Sequence, residues 1–506
     1  MKRNDRAVAG SGIRMLGAQV AVTMVSLAFT VWLARVLTKN EFATFSVIGI
    51  VVNLVGMLSN LGLETSAIRR VPSMSEGDGR DEGVALIKTA LLSRCVLSIV
   101  LGAAVYLSAD RLSELFLKTP DYVGLIRWMA LGAASASILN SLQLLSQAAQ
   151  EFSALSFQVL FANLVQRFLA VVLYLVLGLQ GYVIGFSAGP LLGVLGMVWV
   201  MRRYLFNRVR PTAWWPVVSY SVPYCMRGYA RYGMLQIDEV IIGVLLTPDV
   251  LATYSVARRF STYLKTITDA FLTPATSKVA ELSGSGSDRL RRSFERISRY
   301  VSLIIVPVCL ATALASPTLM ELYGGQKYRD GWPILAVLSL GQVAYYVGSV
   351  YLTYVFALGR PLDVLVMEVA GGLTNSLAGA LLLWLIGSHG VAWAQLLGLC
   401  LMAVLGKRIL SSMLTVRFDA HVGQVLAIPI ACAAIIIVAG QLLSPNLWLT
   451  PLYGGASAAL FVALAVPRLG QDDWEQIEAL SPRRMAGLVQ KARQYSQWRP
   501  LRMADR

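Results

Sequence analysis

Apolar segments of about 20 residues recur along the whole chain and are separated by short polar connections. A helix of this length crosses the hydrocarbon core of a bilayer, which is about 30 Å thick. The 506 residues are 56% hydrophobic and only 14% charged, against about a quarter charged in soluble domains. We therefore predict an all-α polytopic membrane protein with about fourteen transmembrane helices. The segments lie near 12–35, 43–63, 86–107, 125–148, 155–178, 182–203, 217–246, 251–273, 298–318, 332–356, 363–386, 390–410, 422–443 and 451–467.

Lysine and arginine are distributed unequally between the two sides of the predicted bundle. They collect at both termini and in connections such as 278–299, whereas the opposite connections hold few of them. Because basic residues mark the cytoplasmic side, both termini are predicted to be cytoplasmic. This asymmetry accounts for most of the net charge of +16, so that charge does not require nucleic acid as a partner.

The tail after Pro467 is strongly basic and has helical spacing of apolar residues from Ser481 to Trp498. It is typical of an amphipathic helix on anionic membrane lipids, and a disordered solvated tail is the alternative. The five cysteines lie singly, and the chain has only two histidines. Neither a disulfide framework nor a metal site is predicted.

An internal repeat divides the chain. LTKNEFATFSV at 37–47 resembles LTPDVLATYSV at 246–256, an offset of 246 minus 37, or 209 residues. The same offset relates Gly178 and Gly181 to Gly387 and Gly390. Six helices per repeat give both halves the same orientation, related by a pseudo-two-fold axis along the membrane normal. We predict six-helix lobes at 1–210 and 211–420 around a central cavity, an additional helix pair at 421–467, and a cytoplasmic tail at 468–506.

Charged residues interrupt the two segments that open the second repeat. On a helix, Arg227, Arg231 and Asp238 fall within about 40° of one another, and 251–273 carries a second charged stripe. An ionisable side chain that faces lipid costs free energy, so we expect each of these residues to bind a partner or to line a cavity or transport pathway. The two stripes are predicted to face one water-filled space.

The chain resembles the Wzx-like polysaccharide flippases of the multidrug/oligosaccharidyl-lipid/polysaccharide (MOP) exporter superfamily. The resemblance covers about residues 10–440 and rests on LARVLTKNEFATFSV with NLGLETSAIRR, on SVPYCMRGYARYGMLQIDEVIIGVLLTPDVLATYSVARR, and on MELYGGQKYRDGWPILAVLSL. This chain has Glu41-Phe42-Ala43 where the family usually has Glu-Phe-Gly. The resemblance implies alternating access in the bacterial inner membrane. It also implies transfer of a polyprenyl-diphosphate oligosaccharide to the outer leaflet, with other polysaccharide-assembly membrane proteins as candidate partners.

The residue types in the charged segments suit a diphosphate, because a guanidinium group binds phosphate oxygens in a bidentate manner. The candidate substrate-binding residues are Arg258, Arg231, Arg227, Lys265, Arg259 and Arg167. Arg227 and Arg231 have a second interpretation as snorkelling anchors, Arg259 as a partner of an acid, and Arg167 as a tie within the bundle. Tyrosines of the same segments, including Tyr220, Tyr224 and Tyr254, are candidates for stacking on sugars.

Four acids within the spans have two open interpretations. Asp238, Glu239, Asp269 and Glu368 are either ion-coupling carboxylates or structural salt-bridge partners of the arginines. Protons, sodium ions and the membrane potential all remain open as the driving force, and no cofactor is predicted. Polar amides in the spans, such as Asn375, are interpreted first as hydrogen-bonding groups between helices.

Two other functions fit parts of the pattern. A multidrug or metabolite exporter would share the fold, but a pocket for organic cations should be acidic or aromatic, and these segments are predominantly basic. A membrane glycosyltransferase or polymerase needs catalytic groups outside the bilayer, yet the longest external connection, 108–124, lacks a suitable carboxylate pair.

No catalytic residue is predicted and the protein is not expected to be an enzyme. A Walker-type loop is missing from the sequence, which excludes an ATP-driven pump.

Overall fold

The structure is a computed structural model that describes residues 22–71, 79–149, 151–282 and 287–414. Within these ranges every regular element is helical, which confirms the all-α prediction. The elements are α1 (Val22–Val36), α2 (Lys39–Leu58), α3 (Leu63–Arg70), α4 (Gly79–Leu107), α5 (Ala109–Leu117), α6 (Val123–Ala148), α7 (Phe152–Leu205), α8 (Trp214–Leu235), α9 (Ile237–Leu245), α10 (Pro248–Leu282), α11 (Ser287–Leu314), α12 (Ser316–Gly324), a 3-10 helix (Gln326–Gly331), α13 (Trp332–Ala357), α14 (Pro361–Ile386) and α15 (Ser388–Ser411).

Seven of the described helices are long and apolar enough to cross a membrane. An eighth span results if Ile305–Leu314 and Ser316–Gly324, which meet at an angle of 75°, are counted as one broken span. The chain is therefore a multi-pass membrane protein. The total of fourteen stays a prediction, since the segments 422–443 and 451–467, the basic tail and the first 21 residues lie outside the described residues.

The predicted helices 155–178 and 182–203 are the two arms of α7, which turns back on itself at Gly178. This residue has φ 62° and ψ −143°, a conformation that favours glycine. A Cβ on Gly181 would lie 1.9 Å from the carbonyl oxygen of Leu173, so the two arms are in backbone contact. The two predicted helices thus form a hairpin with a tight turn at Gly178.

The second repeat has the same local geometry 209 residues later. Gly387 has φ 66° between α14 and α15, and a Cβ on Gly390 would lie 2.2 Å from the carbonyl oxygen of Leu382. At the other repeated motif, Thr38 caps α2 through a reciprocal bond with Glu41, and its equivalent Thr247 directly precedes α10. The repeated sequences therefore form repeated local structures. The two-fold axis and the rigid lobes 1–210 and 211–420 stay predictions.

The described helices form two compact units. The first comprises the described residues between 22 and 257, together with 323–328 and 361–398. Its core includes a cluster contributed by α3, α4, α6, α7 and α8, with Leu63, Ile87, Leu145, Met197 and Val217 all nearly inaccessible. The segment 323–328 joins this unit because the Tyr328 ring packs at 5.8 Å against Phe42 and the Lys327 ammonium donates to the Leu37 carbonyl.

The second unit comprises the described residues between 258 and 322, together with 329–360 and 399–414. In its described part, α11 packs along α13 through the Phe294 ring, which lies 5.4 Å from Tyr351 and 5.1 Å from Tyr354. The Tyr354 hydroxyl lies 2.9 Å from the Ser293 hydroxyl, and the Tyr346 hydroxyl donates to the Ser298 carbonyl. These buried hydroxyls satisfy polar atoms in an otherwise apolar interface.

Candidate functional site

The predicted helix 217–246 is broken at Gln236, whose φ is −137°. It consists of α8, which ends at Leu235, and α9, which begins at Ile237. In a continuous helix the carbonyls of Gly233 and Met234 would accept from the amides four residues ahead. Here the buried Asn375 side chain of α14 donates to both carbonyls, at 3.3 and 3.1 Å. The interhelical role predicted for Asn375 is confirmed, and its specific effect is to donate to backbone carbonyl groups at the helix break.

Glycines let α8 and α14 approach closely on the N-terminal side of the break. A Cβ on Gly372 would lie 3.0 Å from the Ala230 carbonyl oxygen, and one on Gly371 would lie 3.1 Å from the Met234 sulfur. Small residues at such contacts are typical of helix packing in membranes. The result is a rigid frame that holds the side chains of both helices at short range.

Arg227 of α8 binds Glu368 of α14 within this frame. Its Nε donates to Oε2 at 3.0 Å and its Nη2 to Oε1 at 3.5 Å, so the contact is bidentate. The Glu368 side chain is 1% exposed, whereas that of Arg227 is 26% exposed. Glu368 therefore has the arginine partner that one of its two interpretations predicts, while substrate binding by Arg227 stays a prediction. Arg231 lies one helical turn closer to the break and is half-buried.

Asp238 lies at the start of α9, where the positive end of the helix dipole favours a carboxylate. Its side chain is fully buried and accepts a hydrogen bond from the Tyr254 hydroxyl at 2.6 Å. Glu239, the next residue, is half-buried. Because Tyr254 is itself fully buried, it ties α9 to α10 and does not present its ring to a sugar in this structure.

Four of the predicted charges, Arg258, Arg259, Lys265 and Asp269, lie on the part of α10 that belongs to the second unit. Lys265 and Asp269 form an ion pair one turn apart, with Nζ 2.5 Å from Oδ2. Tyr345 of α13 donates to the other carboxylate oxygen of Asp269 at 2.9 Å, and the Lys265 ammonium lies 5.4 Å from the centroid of that ring. Asp269 thus contacts both Lys265 and Tyr345, and its role as an ion-coupling or a structural acid stays a prediction.

Arg258 is buried, with 9% exposure, and Arg259 is half-buried. Arg258 belongs to the second unit and Arg231 to the first. Their common contact with a diphosphate stays a prediction.

Arg167 ties helices together within the first unit. Its Nη1 donates to the carbonyl and the side-chain oxygen of Asn163, at 2.9 and 2.8 Å, and its Nη2 donates to the Ser26 hydroxyl at 2.5 Å. The guanidinium group also lies 5.8 Å from the centroid of Phe29. Of the two interpretations of Arg167, these contacts favour the tie between α7 and α1.

Arg94, which the sequence leaves open as a tie within the bundle or a cavity-lining residue, forms a buried ion pair with Glu64, a partner that the sequence reasoning missed. The side chains are 3% and 2% exposed, and Nη1 lies 3.6 Å from Oε1. Arg94 Nε donates to the Ser137 hydroxyl at 2.9 Å, which also contacts Ser59 at 2.7 Å and Ser98 at 2.8 Å. Glu64 directly follows the predicted span 43–63, so the sequence places it in a connection between helices and not within the bundle. The available signal was Arg94 itself, because an arginine in an apolar span requires an acid at the same depth.

A family model described as "Polysaccharide biosynthesis protein" matches residues 32–333. Comparison of the sequence with curated proteins gives no match.

Several solved structures share the fold. One, described as "Lipid II flippase MurJ, inward closed conformation", is 14% identical with a TM-score of 0.68, over 89% of this chain and 98% of that one. A multidrug resistance MATE family transporter of the MOP superfamily, in an inward-facing conformation, is 16% identical with a TM-score of 0.60, over 79% and 98%. A MOP superfamily transporter from Pyrococcus furiosus, described by the reverse polarity of its binding pocket, is 16% identical with a TM-score of 0.57, over 80% and 96%. At these identities the likeness shows the fold, which is that of MOP transporters.

Proposed function

The chain belongs to the polysaccharide biosynthesis protein family, and on this premise we propose that it is a flippase for a polyprenyl-diphosphate-linked oligosaccharide. It moves this lipid from the cytoplasmic to the outer leaflet of the bacterial inner membrane. The product serves the assembly of a cell-surface polysaccharide such as O-antigen, capsule or exopolysaccharide. Transport occurs by alternating access, with the lobes 1–210 and 211–420 as the moving bodies.

The bidentate contact between Arg227 and Glu368 beside the helix break is the observation that carries the proposal. A diphosphate presents pairs of oxygens to a guanidinium group much as a carboxylate does. Glu368 therefore occupies the position that a substrate phosphate takes when it binds. Because the Arg227 side chain is 26% exposed, an anion can reach it without unfolding the frame of α8 and α14.

Arginine suits this task better than lysine. The planar guanidinium group keeps its charge in a partly dehydrated site and fixes the direction of the phosphate. Arg231 adds a second guanidinium group one turn away on the same helix. Arg258, Arg259 and Lys265 are proposed as further contacts along the path of the head group, on the basis of the sequence.

Transport is tested with the purified full-length protein in liposomes that contain the sugar-diphosphate-polyprenol on one leaflet. Transfer is measured as the fraction that becomes accessible to an impermeant glycosidase. We expect Arg227→Lys to lose most transfer, whereas Arg291→Lys, at an exposed arginine of α11, retains it. Wild-type vesicles that export organic cations and leave the sugar lipid in place would support the multidrug alternative and refute the proposal.

The double variant Arg227→Ala, Glu368→Ala separates substrate binding from structure. If the pair only stabilises the fold, removing both partners restores abundance and transfer together. If Arg227 binds the diphosphate, the double variant recovers abundance and still fails to transfer the lipid. The second result is expected.

A further inference from the structure

A groove of about 780 Å³ runs between α4 and α6 in the first unit. Its floor consists of small residues, Gly102, Ala103, Ala130 and Ala134, and a Cβ on Gly102 would already lie 3.0 Å from that of Ala134. The large side chains at its rim are exposed, among them Ile99 at 61% and Leu131 at 48%. In a membrane-spanning pair of helices, such a groove faces lipid.

The length of the groove matches a single leaflet. Along α6 it extends from Gly124 to Ala134, ten steps that measure about 15 Å at 1.5 Å per residue. Half of a hydrocarbon core of about 30 Å is also about 15 Å. The groove therefore accommodates one acyl chain to the depth of one leaflet.

One end of the groove is polar. Arg127 lies at the start of α6 and Tyr106 at the end of α4, and the guanidinium carbon is 5.5 Å from the Tyr106 centroid. Trp128, which lines the same end, is 48% exposed. Aromatic rings and a cation at the end of two spans are typical of the head-group level of a bilayer. The predicted orientation places this end at the outer surface.

Two opposite charges meet at this end. Arg127 Nη2 lies 3.8 Å from Asp110 Oδ2 of α5, and the side chains are 45% and 69% exposed. An exposed pair at this distance contributes little to stability, so it can open and contact a ligand. A phosphate and a primary ammonium group, carried a few atoms apart, would match the two side chains.

We propose that this groove binds a zwitterionic aminophospholipid, with its phosphate on Arg127, its ammonium on Asp110 and one acyl chain along the small-residue floor. Charge complementarity selects this lipid. An anionic phosphoglycerol head group satisfies Arg127 but brings no cation to Asp110, and a trimethylammonium group has no N–H to donate to the carboxylate. The proposal is independent of the transported substrate.

The test is native mass spectrometry of the purified full-length protein with an equimolar mixture of phosphatidylethanolamine, phosphatidylcholine and phosphatidylglycerol that share the same acyl chains. One charge-assisted contact of an exposed group predicts about fivefold preferential retention of phosphatidylethanolamine by the wild type. Asp110→Asn should remove the preference over phosphatidylcholine. Arg127→Gln should weaken retention of all three lipids.

A matched pair of variants tests the position of the acyl chain. Ala103→Phe fills the groove and should reduce bound phosphatidylethanolamine about fivefold, whereas Ala104→Phe, also exposed but outside the lining, should leave it unchanged. Both positions are exposed, so neither change should disturb folding. Equal retention of the three lipids by the wild type would overturn the proposal. So would equal effects of the two phenylalanines, or a protein dimer that retains no lipid.

Discussion

Replacing Arg94 by alanine should destabilise the protein more than replacing any exposed arginine of the described residues. The change leaves the Glu64 carboxylate buried, at 2% exposure, without its cation. Removing one member of a buried pair costs about 3–5 kcal/mol, and the lost bond to Ser137 adds about 1 kcal/mol. We expect a total loss of about 5 kcal/mol in the free energy of unfolding.

Arg291→Ala is the matched control. It removes an ion pair of the same chemistry on the surface of α11, where Arg291 and Glu295 are 47% and 30% exposed and 3.5 Å apart. Such a pair contributes about 0.3–0.5 kcal/mol. Thermal unfolding of the purified proteins in detergent, with abundance in the membrane, measures both effects.

A double variant tests the cause of the Arg94 effect. Arg94→Met with Glu64→Leu replaces the buried pair by apolar groups of similar volume and should restore the wild-type stability to within about 1 kcal/mol. The reasoning is refuted if Arg94→Ala is as mild as Arg291→Ala. It is also refuted if the double variant is as unstable as Arg94→Ala.

Three further predictions concern other parts of the chain. Arg258→Lys should lose much of the transport and Arg258→Ala more, with nearly normal abundance, because the ammonium group keeps the charge without the bidentate geometry; normal transport by both variants would exclude a diphosphate contact. Gly62→Ala should lower abundance and thermal stability, because Gly62 has φ 75° and a Cβ there would lie 2.7 Å from the Ser221 carbonyl oxygen; wild-type stability would show that α8 can shift away. A cysteine placed at Ser285 should not react with an impermeant thiol reagent in intact cells, since the segment 274–297, which includes the end of α10 and the start of α11, is predicted to be cytoplasmic; labelling above the wild-type background would reverse the orientation.

The sequence predicted those features of the fold that depend on local pattern. The apolar segments predicted the helices, and the repeat predicted that Gly178 and Gly387 are equivalent positions; both have a positive φ, which glycine adopts at little steric cost. Thr38, which caps the start of α2, likewise lies within the repeated motif.

Features that depend on distant partners were not predictable from one sequence. The break at Gln236 is compatible with the membrane because Asn375, far along the chain, satisfies the two carbonyls. Likewise, nothing within 217–246 indicates that Glu368 is the partner of Arg227. The charged positions could therefore be identified as buried polar groups, whereas their pairing required the packing of α8 against α14.

The lipid that accumulates when this protein is removed from its cell tests the central claim most directly. The measurement is the structure of the sugar-polyprenyl diphosphate and its accessibility to an impermeant glycosidase on each side of the membrane. A flippase predicts a complete oligosaccharide unit confined to the cytoplasmic leaflet. An incomplete unit, as expected from the loss of a glycosyltransferase, or a complete unit already in the outer leaflet, as expected from the loss of a polymerase, would contradict the account.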